Sequence, residues 1–394
     1  MKCKFAWSHL DFKPGGYAPC FRFKLRHGHE FGTVPDKPSE VINSDEWIRV
    51  REQLQNDEWP EECIDCKIQE DSGMQSYRQR SMDLLVSEPD YTSTHVKITD
   101  LQLKLNRACN YSCRHCSVPS NSNFIKLGKQ NPEIGNRLWK QHKFDHVIER
   151  HKHIDIPTPE VIEDLFVNVL PTVERIEFSG GEPFYHVEMY RFLERMIADP
   201  NIDTTKVTLV YNTNMSFTKF KKYDIVDLWK HFKRADVTVS MDGTGSLFNY
   251  FRQGGDYQNV IDNMHDILSR TDKIEKLLLV CTTTAYHAFY MNEIAHDLFH
   301  LKQDLERHYG IEVKYRPTFV HWPEGLDVAN LAEETKINIL KNLDKNEFTE
   351  EFEKRLKGDR TLPEETFKDI VMLQDQLYNR DASELAPRIF DYVY

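Results

Sequence analysis

The sequence predicts an α/β fold, and three observations carry that prediction. From about residue 94 onward, strand-sized runs recur at 96–105, 175–178, 206–212, 235–240, 276–283 and 311–319. Between them lie helix-patterned stretches at 158–171, 187–197, 219–233, 259–269 and 291–309. The clusters of Cys, Gly, Asn and Ser that can do chemistry each follow a strand-like run. Alternating units of this kind imply a parallel sheet with right-handed crossovers. Six strand-like runs are two short of a closed eight-stranded barrel, in which catalytic loops gather at the C-terminal strand ends.

The segment ahead of this core, residues 1–93, has a different character. Residues 4–12 and 17–23 flank Pro14-Gly15-Gly16, a turn signal, and predict a β-hairpin with Cys3 at its start and Cys20 on the return strand. A helix is expected over 45–55, with Ser44 as N-cap. The run Trp59-Pro60-Glu61-Glu62-Cys63-Ile64-Asp65-Cys66 then opens a polar helix. The core is expected over 94–320, and its helix at 158 has good start chemistry, with Pro159 and Glu160 in the first turn. A polar insertion at 121–155 holds His142, His146, His151 and His153. His142 and His146 lie one helical turn apart, which fits a metal pair but fits a solvated helix face better. Residues 321–394 are charged and helix-patterned, an expected helical C-terminal extension.

A formal charge of −12 argues against phosphate-mediated binding to nucleic acid or to an anionic membrane. No apolar run is long enough to span a bilayer, and Leu277-Leu278-Leu279-Val280-Cys281 is only strand-sized. The start, Met1-Lys2-Cys3-Lys4-Phe5-Ala6-Trp7, lacks an apolar signal core. Eight cysteines in such a chain point to metal ligation rather than disulfides, and to a cytoplasmic setting.

Cys109, Cys113 and Cys116 are the most informative residues. Their C-x3-C-x2-C spacing, just after a strand-like run, forms a compact loop that can wrap one corner of an iron–sulfur cube. A [4Fe–4S] cluster wants four thiolates, so three leave one iron with an open position, where metal sites do chemistry. Zinc, with His115 or a distant residue as fourth ligand, is the other reading of the triad alone. Downstream come Ser179-Gly180-Gly181-Glu182-Pro183, Asn212-Thr213-Asn214, Ser240-Met241-Asp242-Gly243 and Phe251-Arg252-Gln253-Gly254-Gly255.

This order of motifs resembles the radical S-adenosylmethionine (radical SAM) enzymes over about residues 97–318. The resemblance implies an open partial (β/α)6 barrel. It implies that Cys109, Cys113 and Cys116 hold a [4Fe–4S] cluster whose open iron takes the amino and carboxylate groups of SAM. Reductive cleavage of SAM then yields a 5′-deoxyadenosyl radical that abstracts hydrogen from a substrate. His115 stands where the family prefers an aromatic residue near adenine. Gly180, Gly181 and Glu182 match the motif that receives the SAM amino group. Ser240 and Arg252 match positions for its carboxylate, and Asn212 and Asn214 for the ribose hydroxyls; a strand-end Asn is also a common turn former. A flavodoxin- or ferredoxin-type protein is the expected electron donor, and a peptide or biosynthetic small molecule the expected substrate.

Four further cysteines, Cys3, Cys20, Cys63 and Cys66, suffice to close a second cluster. The hairpin-plus-helix segment that carries them resembles the twitch-type domain of some radical SAM enzymes, placed here ahead of the barrel. The same four residues serve a zinc knuckle equally well. Cys281, inside an apolar run, reads as a buried small hydrophobe. The rival functional class is a noncatalytic electron-transfer or zinc-stabilised binding protein. Glu182 and Arg252 count against it, because an electron carrier needs no SAM contacts.

Overall fold

The computed structural model describes residues 1–13, 16–23, 37–71, 73, 75–85, 87–116, 121–142, 157–320 and 323–394. In chain order the strands are β1 (His9–Lys13), β2 (Gly16–Ala18), β3 (Asp100–Leu103), β4 (Arg175–Phe178), β5 (Thr208–Thr213), β6 (Lys219–Phe220), β7 (Tyr223–Asp224), β8 (Arg234–Ser240), β9 (Lys276–Thr283) and β10 (Glu312–Phe319). Eight of them make one sheet in the order β10-β9-β8-β5-β4-β3-β1-β2, while β6 and β7 form a separate ribbon. Every neighbouring pair in the large sheet is parallel except β1 with β2. The six expected core runs each overlap one of these strands, and helices cross between most of them, including Val187–Ala198, Tyr257–Arg270 and Met291–Tyr309. The fold is α/β, a mostly parallel sheet of the partial-barrel kind with a helical C-terminus.

A parallel sheet covered on both faces would read as near-continuous apolar strands. These strands alternate instead. Leu101, Leu103, Ile176, Phe178, Leu209, Tyr211, Ala235, Val237, Val239, Leu277 and Leu279 are buried on the helix side. Their sequence neighbours Gln102, Arg175, Glu177, Asn212, Asp236 and Thr238 remain half-exposed, and alternation along a strand places them on the opposite face. That face is the lumen of the open barrel, and it is polar. Arg175 donates to Asp100 Oδ2 at 2.8 Å and to Glu177 Oε2 at 2.7 Å, and Asn212 donates to Glu177 Oε1 at 2.7 Å.

The front segment joins this sheet. β1 lies parallel beside β3, with His9 opposite Asp100 and Phe12 opposite Leu103, and the His9 ring contacts the Asp100 carboxylate. The expected hairpin is present but shorter, because residues Lys4–Ser8 are helical rather than extended. Lys4 explains the change: its ammonium is buried and donates to the carbonyls of Met82 and Leu85 at 3.0 and 2.8 Å, which anchors one helical turn. The helix expected at 45–55 is present as Asp45–Gln55. The helix expected over 219–233 is a tight ribbon followed by the short helix Ile225–Trp229. Lys221 turns through a positive φ of 54° there, and Tyr223 stacks on Tyr190 with ring centroids 4.9 Å apart. Among its described residues the insertion forms two helices, Ser122–Gln130 and Pro132–Gln141; His142 is buried just beyond them. His146, His151 and His153 lie outside the described residues. Among the described residues, no helix is long and apolar enough to cross a membrane.

Asp100 ties the front strand to the barrel floor. Burial opposes its charge, yet Arg175 and then His9 hold its carboxyl below the ordinary value. Breaking a buried pair costs about 3–5 kcal/mol, so Asp100→Ala should lower chemical-denaturation stability by about that much at neutral pH. A depressed folded-state pKa contributes stability above the unfolded value of about 3.9 that fades as pH falls. The deficit of the variant should therefore shrink in acid.

Candidate active site

β3 delivers the chain to the cysteine loop, and backbone hydrogen bonds fix that loop from several directions. Asn121 donates to the Tyr111 carbonyl at 2.8 Å, and the Asn123 amide donates to the Cys109 carbonyl. The N–H of Ser112 reaches Gln253 O at 2.8 Å, and that of Arg114 reaches Phe251 O at 2.9 Å. Cys109 and Cys113 are buried and Cys116 is half-buried, and no disulfide links any of the eight cysteines. Burial pushes the Cys109 thiol up to about 12 and Cys113 well above its ordinary value. Thiols this reluctant to ionise become thiolates when a cation compensates them, and a coordinated metal does so outright.

The glycine turn after β4 closes over the loop. Gly181 has φ +55°, and a Cβ there would stand 2.1 Å from the carbonyl oxygen of Ala108. Only glycine permits so close a backbone approach. Glu182 N–H donates to that same carbonyl at 3.0 Å. Its carboxylate, 1% exposed, accepts from Thr213 Oγ1 at 2.6 Å, Asn214 N at 2.6 Å and Phe184 N at 3.0 Å. Asn214 in turn donates to Asn110 Oδ1 at 2.9 Å and approaches Cys109 Sγ at 3.8 Å. Gly180, Gly181, Glu182 and Asn214 thus converge on the cysteine loop. Asn212 sits lower on β5, bonded to Glu177 in the lumen.

At the ends of β8 and β9, Ser240 is half-exposed and Asp242 is fully buried. Arg252 Nη2 pairs with Asp242 Oδ2 at 2.7 Å, His115 Nδ1 lies 3.5 Å from the same oxygen, and Thr282 N–H donates to Oδ1 at 2.7 Å. Burial opposes the Asp242 charge, but Arg252 and then His115 hold its carboxyl below the ordinary range. Arg252 Nε is buried with no partner among the described residues. That is an orphan donor beside the cysteine loop, where an acidic ligand group would satisfy it.

Asp242, Cys281 and His287 offer three ligand atoms within 4.8 Å of one another. Their chemistry argues against a metal. Thr284 N–H donates to His287 Nδ1 at 3.0 Å, and burial drives the ring pKa down to about 4, so the ring is neutral with its proton on Nε2. Neither nitrogen keeps a lone pair to offer. Cys281 shares the helix-facing side of β9 with Leu277 and Leu279, and all three are buried.

The front thiols converge as well. Cys3, Cys20, Cys63 and Cys66 line one pocket with Phe5, Trp59, Tyr77 and Arg78. Burial pushes Cys3 up to about 11, and burial together with the neighbouring thiols pushes Cys20 and Cys63 higher still. This pocket lies toward the N-terminal strand ends: Cys3 precedes the helix that leads into β1, and β2 returns Cys20 to that level. The triad follows the C-terminal end of β3, so the two thiol groups occupy opposite ends of the sheet.

Sequence reasoning assigned Asp242 no role, although its place beside Ser240 and Gly243 was a signal. It had no means of finding Asn121, Asn123 or His287, whose roles depend on tertiary contacts.

Residues 103–285 match the family model described as the Radical SAM superfamily. No curated protein matches the chain. Among solved structures, the chain is similar to anSMEcpe with bound AdoMet and Kp18Cys peptide, at 18% identity and TM-score 0.39, covering 72% of this chain and 68% of that one. It is also similar to Streptococcus suis SuiB bound to precursor peptide SuiA, at 13% identity and TM-score 0.34, covering 71% and 58%. A further SuiB structure aligns at 12% identity and TM-score 0.33, covering 98% of this chain and 70% of that one. In the SuiA-bound alignment the chain spans less than two thirds of its relative.

Glu182 offers the sharpest test of this geometry. Burial pushes its carboxyl up to about 7 against its three donors. A folded-state pKa above the unfolded value of about 4.3 makes stability fall as pH rises from there toward 7. Glu182→Gln should remove that slope. It should also leave at least one buried donor facing an amide N–H, costing about 1–3 kcal/mol, read by thermal unfolding across pH in metal-free protein. Gly181→Ala should cost about 3 kcal/mol, from its positive φ and the overlap with Ala108.

Proposed function

We propose that the chain is a radical SAM enzyme in which Cys109, Cys113 and Cys116 hold a [4Fe–4S] cluster that binds SAM through its open iron. The single observation that carries this reading is the convergence of a three-thiol loop, the Gly180-Gly181 turn and the orphaned Arg252 Nε. The donor set fits: three thiols with no fourth on their loop, and a buried cation for a carboxylate. When bound, the cluster supplies the electron that splits the SAM sulfonium to a 5′-deoxyadenosyl radical, which abstracts hydrogen from a peptide or biosynthetic small molecule.

The chain's own residues do the positioning. Arg252, oriented by Asp242, presents Nε to the SAM carboxylate, with Ser240 beside it at the end of β8. The backbone of Gly180, Gly181 and Glu182 faces the SAM amino group, and the backbone at His115 faces adenine. Asn214, just past the end of β5, and Asn212, within it, would meet the ribose hydroxyls; Asn214 also braces the loop through Asn110. The polar lumen below receives the substrate, and a flavodoxin- or ferredoxin-type protein supplies electrons.

For Cys3, Cys20, Cys63 and Cys66 we propose an auxiliary [4Fe–4S] cluster. The four thiols line one pocket, and four thiolates suffice to close a second cluster. Closed by four thiolates, such a cluster has no iron for SAM, and its place at the other end of the sheet suits electron exchange with a substrate radical.

Anaerobic reconstitution with SAM and dithionite tests the central reading. Wild type should form 5′-deoxyadenosine and Cys113→Ala should form none; full production by the variant would sink the assignment. Metal analysis should give about eight irons per chain, whereas about four irons with one tightly held zinc would assign the front site to zinc. Arg252→Ala should weaken SAM binding by on the order of 1.5–3 kcal/mol while cluster content persists, measured by equilibrium binding.

A further inference from the structure

Arg114 lies between Cys113 and Cys116, and an element from the far end of the chain holds it. Its carbonyl accepts from Gln374 Nε2 at 2.7 Å. Its guanidinium is 1% exposed, donates to Asp375 Oδ1 at 2.6 Å and to Tyr250 O at 2.9 Å, and lies 3.7 Å over the Tyr250 ring. Tyr250 OH donates to the same Asp375 oxygen at 3.0 Å, and Tyr286 OH fixes Gln374 Oε1 at 2.6 Å. Gln374 and Asp375 are consecutive residues of the Glu365–Tyr378 helix, so one helix turn grips both the backbone and the side chain of one loop residue.

We propose that this C-terminal helix is part of the cofactor centre, with Gln374 and Asp375 as positioning residues for the three-cysteine loop. The proposal rests on reading that loop as the cluster site. Gln374 fixes the peptide between the second and third cysteines. Asp375 cancels a buried, permanent cation that the sequence places between two cluster ligands. An uncompensated cation there would favour the reduced, more negative cluster. A simple brace between helix and barrel would affect stability but leave that balance untouched.

The test uses full-length protein reconstituted anaerobically. Redox titration followed by electron paramagnetic resonance is read on the signal that changes when SAM is added, which identifies the reactive cluster. Asp375→Asn keeps the shape and removes the charge, so its midpoint potential should move positive of wild type. Arg114→Leu with Asp375→Leu removes both charges and should return the potential toward wild type. An unchanged potential in folded, iron-loaded Asp375→Asn overturns the proposal. Hydrogen–deuterium exchange on metal-free Gln374→Leu gives a second reading that needs no cluster. Exchange at 112–116 should quicken while the 365–378 helix stays protected, and unchanged exchange overturns the clamp. A wild type that takes no iron into the triad defeats the cluster reading itself, and the metal-free exchange then still judges the clamp alone.

Discussion

The Glu182 carboxylate is the knot on which the candidate site depends. It is one buried group that accepts from Thr213, Asn214 and Phe184 while its own N–H reaches Ala108. Those contacts join the end of β5, the turn after β4 and the cysteine loop after β3. Three donors around one buried carboxyl leave no equivalent alternative arrangement, because a buried donor without a partner costs about 1–3 kcal/mol. The glycine turn can then approach the loop closely, and Gly181 has no side chain to prevent it. Relative placement of three separate loops is thereby set before any ligand arrives.

The sheet supplies the second constraint. Parallel strands put every loop leaving a strand's C-terminal end on the same side, so motifs separated by more than a hundred residues gather without further machinery. The front strand extends this sheet instead of forming its own, which sends Cys20 to the end opposite the triad. A polar lumen of Arg175, Glu177 and Asn212 runs between those ends. Hydrogen-bonding groups thus line the barrel wall, with one thiol group toward one end and the other toward the opposite end.

What the sequence made legible was local. The C-x3-C-x2-C spacing and the Gly180-Gly181-Glu182 turn are contiguous, and each loop follows a strand whose β-branched and aromatic content is visible. Pairings across distance were not legible. The β1–β3 register joins His9 to Asp100 across ninety-one positions, and nothing in a hairpin-like pattern announces a parallel partner so far away. The ribbon at Lys219–Asp224 was misread because Phe220 and Tyr223 fit an amphipathic helix as well as a strand, and packing against Tyr185 and Tyr190 decided between them. Asn212 and Asn214 looked equivalent on paper, yet Asn212 lies within β5 and bonds Glu177 in the lumen, whereas Asn214 lies just past the strand end and bonds Asn110 of the cysteine loop.

Buried ion pairs recur wherever an outlying element meets the barrel. Asp100 with Arg175 receives the front strand, Asp242 with Arg252 receives the loop after β8, and Asp375 with Arg114 receives the C-terminal helix. Such pairs add little net stability over well-packed apolar residues, so stability alone does not explain three of them. Their value lies in register: a buried charge tolerates one partner and penalises every shifted docking that would leave it alone. Apolar contacts could hold the same elements with equal strength but would let them slide. For the proposed site, which would have to align a cofactor with one hydrogen of one substrate, slippage is the costlier failure. The pairs also stand at both ends of the lumen, where they place fixed charge close to the thiols. The same residues that set the docking register therefore also set the electrostatic surroundings of those thiols.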